Sequence, residues 1–183
     1  MNSMQVERIT VGELDPLSRL IEEVFLICGK DLNGVVDHAR NFAALIGEAD
    51  PFIQRNTEEV CPECRKVCCI NRHSYHTHFD VLYLRALGQE IPSHGAGIAD
   101  SEPCQFLSAR GCRLKRHLRP YRCTWYFCTP LLDHMRNAPV REYRSFISCL
   151  EQISGERELL LTAFLEIAKE ARLITDMPRH RFY

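Results

Sequence analysis

The chain has 183 residues, of which 45% are hydrophobic and 26% are charged, and its formal net charge is −1. These proportions are ordinary for a globular protein, and the near-zero charge excludes a chain that attracts nucleic acid or anionic membranes through its overall field. No stretch reaches the ~20 apolar residues that a membrane-spanning helix needs.

The first residues, MNSMQVERITVGELD, contain neither the basic nor the apolar segment of a secretory signal. We therefore predict a cytoplasmic protein in a reducing compartment, without a membrane or nucleic-acid partner. In such a compartment, many cysteines favour metal ligation over a disulfide scaffold.

The N-terminal part predicts two helices after a loosely ordered lead-in at 1–13. Asp15-Pro16 is typical of a helix start, and the apolar stripe that follows ends at Gly29. Cys28 lies on this stripe, so we predict a buried structural thiol. A second helix follows and should end near Gly47 or Asp50-Pro51.

The first cysteine cluster reads CPECRKVCC and contains four thiols in nine residues: Cys61, Cys64, Cys68 and Cys69. The adjacent pair at its end fits poorly into a disulfide framework, which again favours metal ligation.

A histidine-rich segment follows this cluster, with His73, His76 and His78. These side chains could be ligands or proton carriers, because imidazole titrates near neutral pH. We favour the interpretation that these histidines are polar residues at the start of the next helix, since the thiols already suffice to coordinate a metal. A short helix is predicted from Phe79 to Leu87.

Residues 88–103 are rich in Gly, Pro and Ser and predict a loop, which could cover a metal site. The second cysteine cluster comes directly after it and contains Cys104, Cys112, Cys123 and Cys128. A turn at Gly111 within this cluster predicts a short hairpin.

Six cations and no acid lie between residues 110 and 122: Arg110, Arg113, Lys115, Arg116, Arg119 and Arg122. They could compensate the negative charge of a tetrathiolate centre. The alternative is a basic, phosphate-binding strip that also carries four aromatic residues, Tyr121, Trp125, Tyr126 and Phe127. We favour charge compensation, because the cations alternate with the thiols.

The C-terminal part predicts two more helices, separated by a break near Ser154-Gly155. Cys149 lies beside the first apolar stripe and is predicted to be a structural thiol. Helical flanks at 14–50 and 139–175 around a metal module at 58–130 predict a mainly α single domain, 1–183. Its architecture would be a small helical bundle with an irregular cysteine-rich metal-binding insert.

The cysteine spacing favours an iron–sulfur cluster, one or two of the [4Fe–4S] type, over Zn²⁺. Cys61 and Cys64 form a CxxC pair, as in zinc knuckles, but the second cluster has no CxxC. Iron–sulfur sites accept more varied spacings, because their ligands bind different irons.

The same residues resemble a known family. The order CxxC…CC, PCxFL, GCxL, RPxxC and a final Cys resembles the bacterial YkgJ-like cysteine-cluster proteins, which are described as zinc- or iron-chelating domains. Residues 58–130 carry this resemblance, with a CxxCxxxCC spacing where the family has CxxCxxCC. The resemblance implies that all eight clustered cysteines are metal ligands.

Three functions are compatible with these patterns. The first is an iron–sulfur protein with a redox, electron-transfer or sensing role, which we favour because eight thiolates occur without a recognisable substrate motif. The second is an interaction module stabilised by zinc. The third is an enzyme of unknown substrate that combines the cluster with the histidine segment and the 88–103 loop.

Overall fold

The computed structural model describes residues 15–64, 67–109 and 111–183. It is mainly helical, which confirms the predicted fold class at this level. The helices are α1 (Pro16–Cys28), α2 (Asn33–Val60), α3 (His78–Ala86), α4 (Arg122–Trp125), α5 (Thr129–Arg136) and α6 (Val140–Glu170). The lead-in predicted for residues 1–13 lies outside the described residues.

The start of α1 is set by a side-chain cap. The Asp15 carboxylate accepts hydrogen bonds from the backbone N–H of Leu17 (2.9 Å) and of Ser18 (3.2 Å). Such a cap contributes ~1 kcal/mol, because it satisfies N–H groups that lack a partner within the helix. Gly29 follows the last turn with a φ of 47°, which favours glycine. Both predicted ends are confirmed, but Cys28 is half-buried and not fully buried.

Helix α2 runs through Pro51, so the predicted end near Gly47 or Asp50-Pro51 is wrong. A proline inside a helix removes one N–H donor and costs ~3 kcal/mol or more. Burial beyond the proline offsets this cost: Phe52 and Ile53 are both buried, and the Phe52 ring stacks on Phe146 with centroids 4.5 Å apart. Tertiary packing therefore outweighs the local helix-breaking preference.

Helix α6 is also continuous, and the predicted break near Ser154-Gly155 is wrong. A glycine inside a helix costs only ~1 kcal/mol relative to alanine. Ile153 before it and Leu160 after it are completely buried, so the helix gains more from packing than it loses at the glycine.

The elements around the cysteine clusters follow the sequence expectations. Helix α3 begins with a reciprocal cap between Thr77 and Asp80, and Gly88 follows its end with a φ of 66°. Residues 88–103 form a loop without helices. The predicted hairpin is confirmed by two short antiparallel strands, β1 (Leu107–Ser108) and β2 (Gly111–Cys112).

The chain divides into two compact units. Among the described residues, the first consists of 15–41, Tyr75–His94 and Glu156–Tyr183. Its core includes Phe164, whose ring lies against the rings of Phe25 and Phe182 at centroid distances of 6.5 and 6.0 Å.

The second unit consists of Phe42–Ser74 and Gly95–Gly155, and it contains all eight clustered cysteines. The prediction that residues 1–183 form a single domain stays a prediction. Within the described ranges, no helix combines the length and the apolar character needed to cross a membrane.

Candidate metal centre

Backbone hydrogen bonds bring the two cysteine clusters together within the second unit. The N–H of Cys104 donates to the carbonyl of Cys69 at 2.8 Å, and Ile70 forms an isolated β-bridge with Pro103. The N–H of Asn71 extends this pairing to the carbonyl of Glu102 at 2.8 Å. Two segments that are distant in the sequence are therefore adjacent in the fold.

Asn71 is completely buried where the two segments meet. Its side chain forms hydrogen bonds with three residues there. Its Nδ2 donates to the carbonyl of Ile98 at 3.2 Å, while its Oδ1 accepts from Gln105 Nε2 at 3.1 Å and from Ser74 Oγ at 3.2 Å. Sequence reasoning missed this residue, because nothing in a lone Asn between cysteines and histidines indicates buried partners. It fixes the 95–105 segment beside the first cluster.

The thiols of the first cluster meet the last cysteine of the second cluster. Cys68 shares side-chain hydrogen bonds with both Cys69 and Cys128. The bond to Cys69 is the main cause that raises the pKa of Cys68, since it favours the protonated Cys68 thiol as donor. The thiol of Cys61 interacts electrostatically with Cys68, Cys128 and Cys64, and burial together with these neighbours raises its pKa.

A second group forms around Cys69 and Cys104. The Cys69 thiol interacts electrostatically with Cys123, Cys61 and Cys104. Cys104 interacts in the same way with Cys112, which the hairpin holds opposite Leu107. The hydrogen bond from Cys68 outweighs burial and lowers the pKa of Cys69. All ten cysteines of the chain are free thiols.

Polar groups around the sulfurs favour their ionised form. The backbone N–H groups of Phe106 and Leu107 and the side chain of Ser74 favour the Cys104 thiolate, although burial is the larger effect and raises its pKa. Cys128 precedes α5, and the backbone N–H of Leu131 favours its thiolate. Burial is again the larger effect and raises the pKa of Cys128. Hydrogen bonds to ligand sulfurs are a recurring feature of metal–thiolate sites.

The cations of the second cluster bind mainly to carbonyls and to one carboxylate. Arg116 is buried, with its Nε 2.6 Å from Asp50 Oδ1 and its Nη1 3.3 Å from the carbonyl of Cys123. Arg119 donates to the carbonyl of Leu114 at 2.9 Å. These bonds order the backbone that carries the thiols. Charge compensation of a bound metal by these cations stays a prediction, and Arg110 lies outside the described residues.

The aromatic residues of the predicted phosphate-binding strip are only partly accessible. Trp125 and Tyr126 are exposed, whereas Tyr121 is partly buried, with its ring centroid 5.7 Å from that of Phe42. The ring of Tyr126 lies 5.0 Å from that of His73. Part of the strip therefore packs within the second unit. The accessible surface that could bind phosphate, the alternative function of the strip, is correspondingly smaller.

The three histidines lie in different environments. His73 belongs to the second unit, and its Nδ1 lies 3.3 Å from the carbonyl of Cys68. His76 and His78 belong to the first unit and are buried. His78 Nε2 lies 2.8 Å from Asp15 Oδ1, and its Nδ1 lies 3.2 Å from the carbonyl of Arg181. His78 therefore has a structural role between α1, α3 and the C-terminal segment.

The donor chemistry of the second unit fits a soft metal, because its eight clustered cysteines are free thiols that interact pairwise, with backbone N–H groups beside Cys104 and Cys128. Over residues 15–64, 67–109 and 111–183, however, no three His, Cys, Asp or Glu side chains are arranged as a group that could hold a metal ion. A metal ion deprotonates coordinating thiols and draws them together.

Comparisons with family models, with curated proteins and with solved structures gave no match. The relationship to the YkgJ-like proteins stays a prediction that depends on the order of the cysteines.

Proposed function

We propose that this chain is a metal-binding protein of the YkgJ-like type that holds an iron–sulfur cluster and has a redox, electron-transfer or sensing role. The observation that supports it most is that thiols from both clusters interact within one compact unit and that none of them forms a disulfide. The eight cysteines would supply the ligands, and the cluster would supply reversible one-electron chemistry.

The surroundings of two of the thiols are compatible with an iron–sulfur cluster. N–H groups of Phe106, Leu107 and Leu131 stabilise negative charge on ligand sulfurs, and such bonds tune the reduction potential of a cluster. Cys61 and Cys69 are exposed. An exposed ligand edge would let a redox partner approach the cluster closely.

A zinc-stabilised interaction module is the second candidate. The turn between Cys61 and Cys64, closed by a 3.2 Å hydrogen bond from the Cys64 N–H to the Cys61 carbonyl, favours it, because a CxxC turn suits one tetrahedral ion. It explains the other six thiols less well, since their spacing contains no second CxxC.

The test is metal analysis of the full chain, produced and purified without oxygen. We expect iron and acid-labile sulfide in equal amounts, with visible absorbance that reductant bleaches reversibly. A colourless protein with stoichiometric zinc would support the second candidate. If neither metal binds after reconstitution, both proposals fail. The matched control is Cys28→Ser with Cys149→Ser, because these two cysteines lie outside the clusters and should leave metal binding unchanged.

A further inference from the structure

Two adjacent aromatic side chains are exposed on the second unit, next to the cysteines in the sequence. Trp125 is 47% exposed and Tyr126 is 44% exposed. Every other Phe and Tyr of residues 15–64, 67–109 and 111–183 is buried or half-buried. Two large rings left in water forgo the free energy that burial would give, so they mark a surface that a partner could cover.

The contacts of these rings connect the exposed surface with the first cysteine cluster. The ring centroid of Tyr126 lies 6.3 Å from that of Trp125 and 5.0 Å from that of His73. On its other side, His73 Nδ1 lies 3.3 Å from the carbonyl of Cys68. One ring therefore separates Tyr126 from the backbone of a cysteine, and a partner that covers Trp125 and Tyr126 lies beside the thiols.

Positive charge accompanies the two rings. The N–H of Tyr126 donates to the carbonyl of Arg122 at 2.9 Å, so these residues are neighbours across one helical turn. Arg122 and Arg72 both act as cations on the His73 ring. The Arg72 side chain is exposed and that of Arg122 is half-buried. Trp, Tyr and Arg are the residues that dominate the binding energy of protein–protein interfaces.

We propose that Trp125, Tyr126, Arg72 and Arg122 form a docking surface for an acidic protein that carries single electrons. This inference depends on the proposed function and adds the chemical class of the partner. The reduced carrier loses one electron and the cluster gains it, or the reverse. Opposite charges steer the two proteins together, and a small surface is sufficient because redox encounters bury less than ~1,200 Å².

Nucleic acid fits this surface less well than an acidic protein. Successive bases stack on aromatic ring faces, but the planes of Trp125 and Tyr126 are at 84° to each other. Strong binding also needs several phosphate contacts, and three cations of the basic strip are bonded to groups of the protein itself: Arg113, Arg116 and Arg119. The net charge of −1 adds no general attraction for a polyanion.

The test is isothermal titration calorimetry of the metal-loaded full chain without oxygen. A plant-type ferredoxin is the acidic carrier, and a basic c-type cytochrome is the contrast. We expect Trp125→Ala to weaken ferredoxin binding about tenfold or more. Arg72→Gln combined with Arg122→Gln should weaken it about tenfold at low salt. The control is Lys30→Gln combined with Lys169→Gln, which removes two exposed cations from the first unit and should leave binding unchanged.

The dependence on salt gives a test that needs no variant. Ferredoxin affinity should fall steeply between about 0.01 M and about 1 M salt, because the Debye length falls from ~30 to ~3 Å. The rate of electron transfer between ferredoxin and the cluster, followed by stopped-flow absorbance, should fall in parallel. The inference is overturned if ferredoxin does not bind at low salt, binds without electron transfer, binds independently of salt or binds less tightly than the cytochrome.

Two further measurements address the other class of partner and misfolding. If a thymidine oligonucleotide binds more tightly than ferredoxin and Trp125→Ala abolishes that binding, the surface is a nucleic-acid site and the inference is overturned. Trp125→Phe retains a ring in the same place and should keep most of the ferredoxin affinity. An equal loss in Trp125→Phe and Trp125→Ala, or no loss in either, contradicts a role of the ring in docking.

Iron and acid-labile sulfide are measured on the same samples. A chain that holds the cluster but does not bind ferredoxin refutes only the docking surface. A chain that binds no metal refutes the proposed function.

Discussion

The backbone N–H of Cys104 donates a 2.8 Å hydrogen bond to the carbonyl of Cys69, and this bond connects the last residue of the first cysteine cluster with the first residue of the second. The β-bridge between Ile70 and Pro103 continues the pairing. Because both segments otherwise have irregular backbone, such bonds and the side chains that support them determine where the sulfurs lie.

Asn71 gives the most direct test of that support. Asn71→Ala removes the hydrogen bonds to Ile98 and Gln105 and leaves their polar groups without these partners in a part-buried site. We expect a loss of ~1–3 kcal/mol in the free energy of unfolding and faster loss of bound metal, with all eight thiols intact. Urea denaturation and timed chelation measure the two effects. Arg72→Ala is the control, because the Arg72 side chain is exposed; an equal effect of both variants would contradict the role of Asn71.

The pair Asp50 and Arg116 should show the cost of an uncompensated buried charge. The Arg116 side chain is 6% exposed and that of Asp50 is 36% exposed. Asp50→Ala should therefore cost ~3 kcal/mol, because it leaves a buried guanidinium without its carboxylate. Arg116→Met should cost less, since it removes the charge and keeps much of the volume.

Thermal or urea unfolding would measure both variants of this pair. Asp133→Ala serves as the control: its exposed pair with Arg136 should contribute no more than ~0.5 kcal/mol. A larger loss for Arg116→Met than for Asp50→Ala would show that the guanidinium matters through its bonds to the backbone and not through its charge.

Asp15 should make the stability of the first unit depend on pH in the acid range. Burial opposes ionisation of Asp15, but hydrogen bonds from Ser18 and His78 outweigh it and lower its pKa from 3.8 to about 2. A lowered carboxyl pKa stabilises the folded state at pH values above ~4, and this contribution is lost as the pH falls from ~4 to ~2.

The measurement is urea unfolding of the wild type and of Asp15→Asn between pH 6 and pH 2.5. Asn is also a good N-cap, so the variant removes the titration and the charge pair while the cap is retained. The wild type should be the more stable protein above pH 4, and the difference should shrink at lower pH. A difference that stays constant would show that Asp15 does not titrate in this range.

Phe164 tests the packing of the first unit. It is completely buried between the rings of Phe25 and Phe182, so Phe164→Ala should cost ~3–5 kcal/mol through lost burial and a new cavity. The control, Leu26→Ala, changes a side chain that is 84% exposed and should stay within ~0.5 kcal/mol of the wild type. If the two variants had similar unfolding midpoints, the prediction that Phe164 is a central residue of the core would be wrong.

Metal removal should affect one part of the chain selectively. The thiol-bearing segments have little regular structure of their own, whereas α6 has a buried apolar face. We expect chelation without oxygen to increase amide hydrogen exchange in residues 61–74 and 95–128, with little change in 156–170. Unchanged exchange in the cysteine segments would contradict a structural contribution of the metal.

The helix ends that depend on local chemistry could be predicted from the sequence. Asp15 and Gly29 delimit α1 as expected, because an N-cap and a positive φ involve only neighbouring residues. Pro51 and Gly155 were misleading, since each lies within a helix that burial on both sides maintains. A local preference of 1–3 kcal/mol yields to packing that the linear pattern does not reveal.

In the candidate site, too, local sequence could be interpreted but contacts between distant residues could not. His78 could be read from the sequence as a possible ligand, but the structure pairs it with Asp15 and the carbonyl of Arg181. Neither partner is near His78 in the chain, so no spacing rule could identify them. Asn71 was missed for the same reason, because its importance comes from burial and from partners beyond residue 95.

The sequence by itself determined which residues can offer sulfur and which helices can begin or end where they do, because thiol chemistry and capping belong to single residues and their neighbours. Only the tertiary structure decided which sulfurs come together, and it brought Cys128 to Cys68 and Cys104 to Cys69. The physical reason is that contacts between distant segments depend on hydrogen bonds and burial summed over the whole fold, which cysteine spacing does not record.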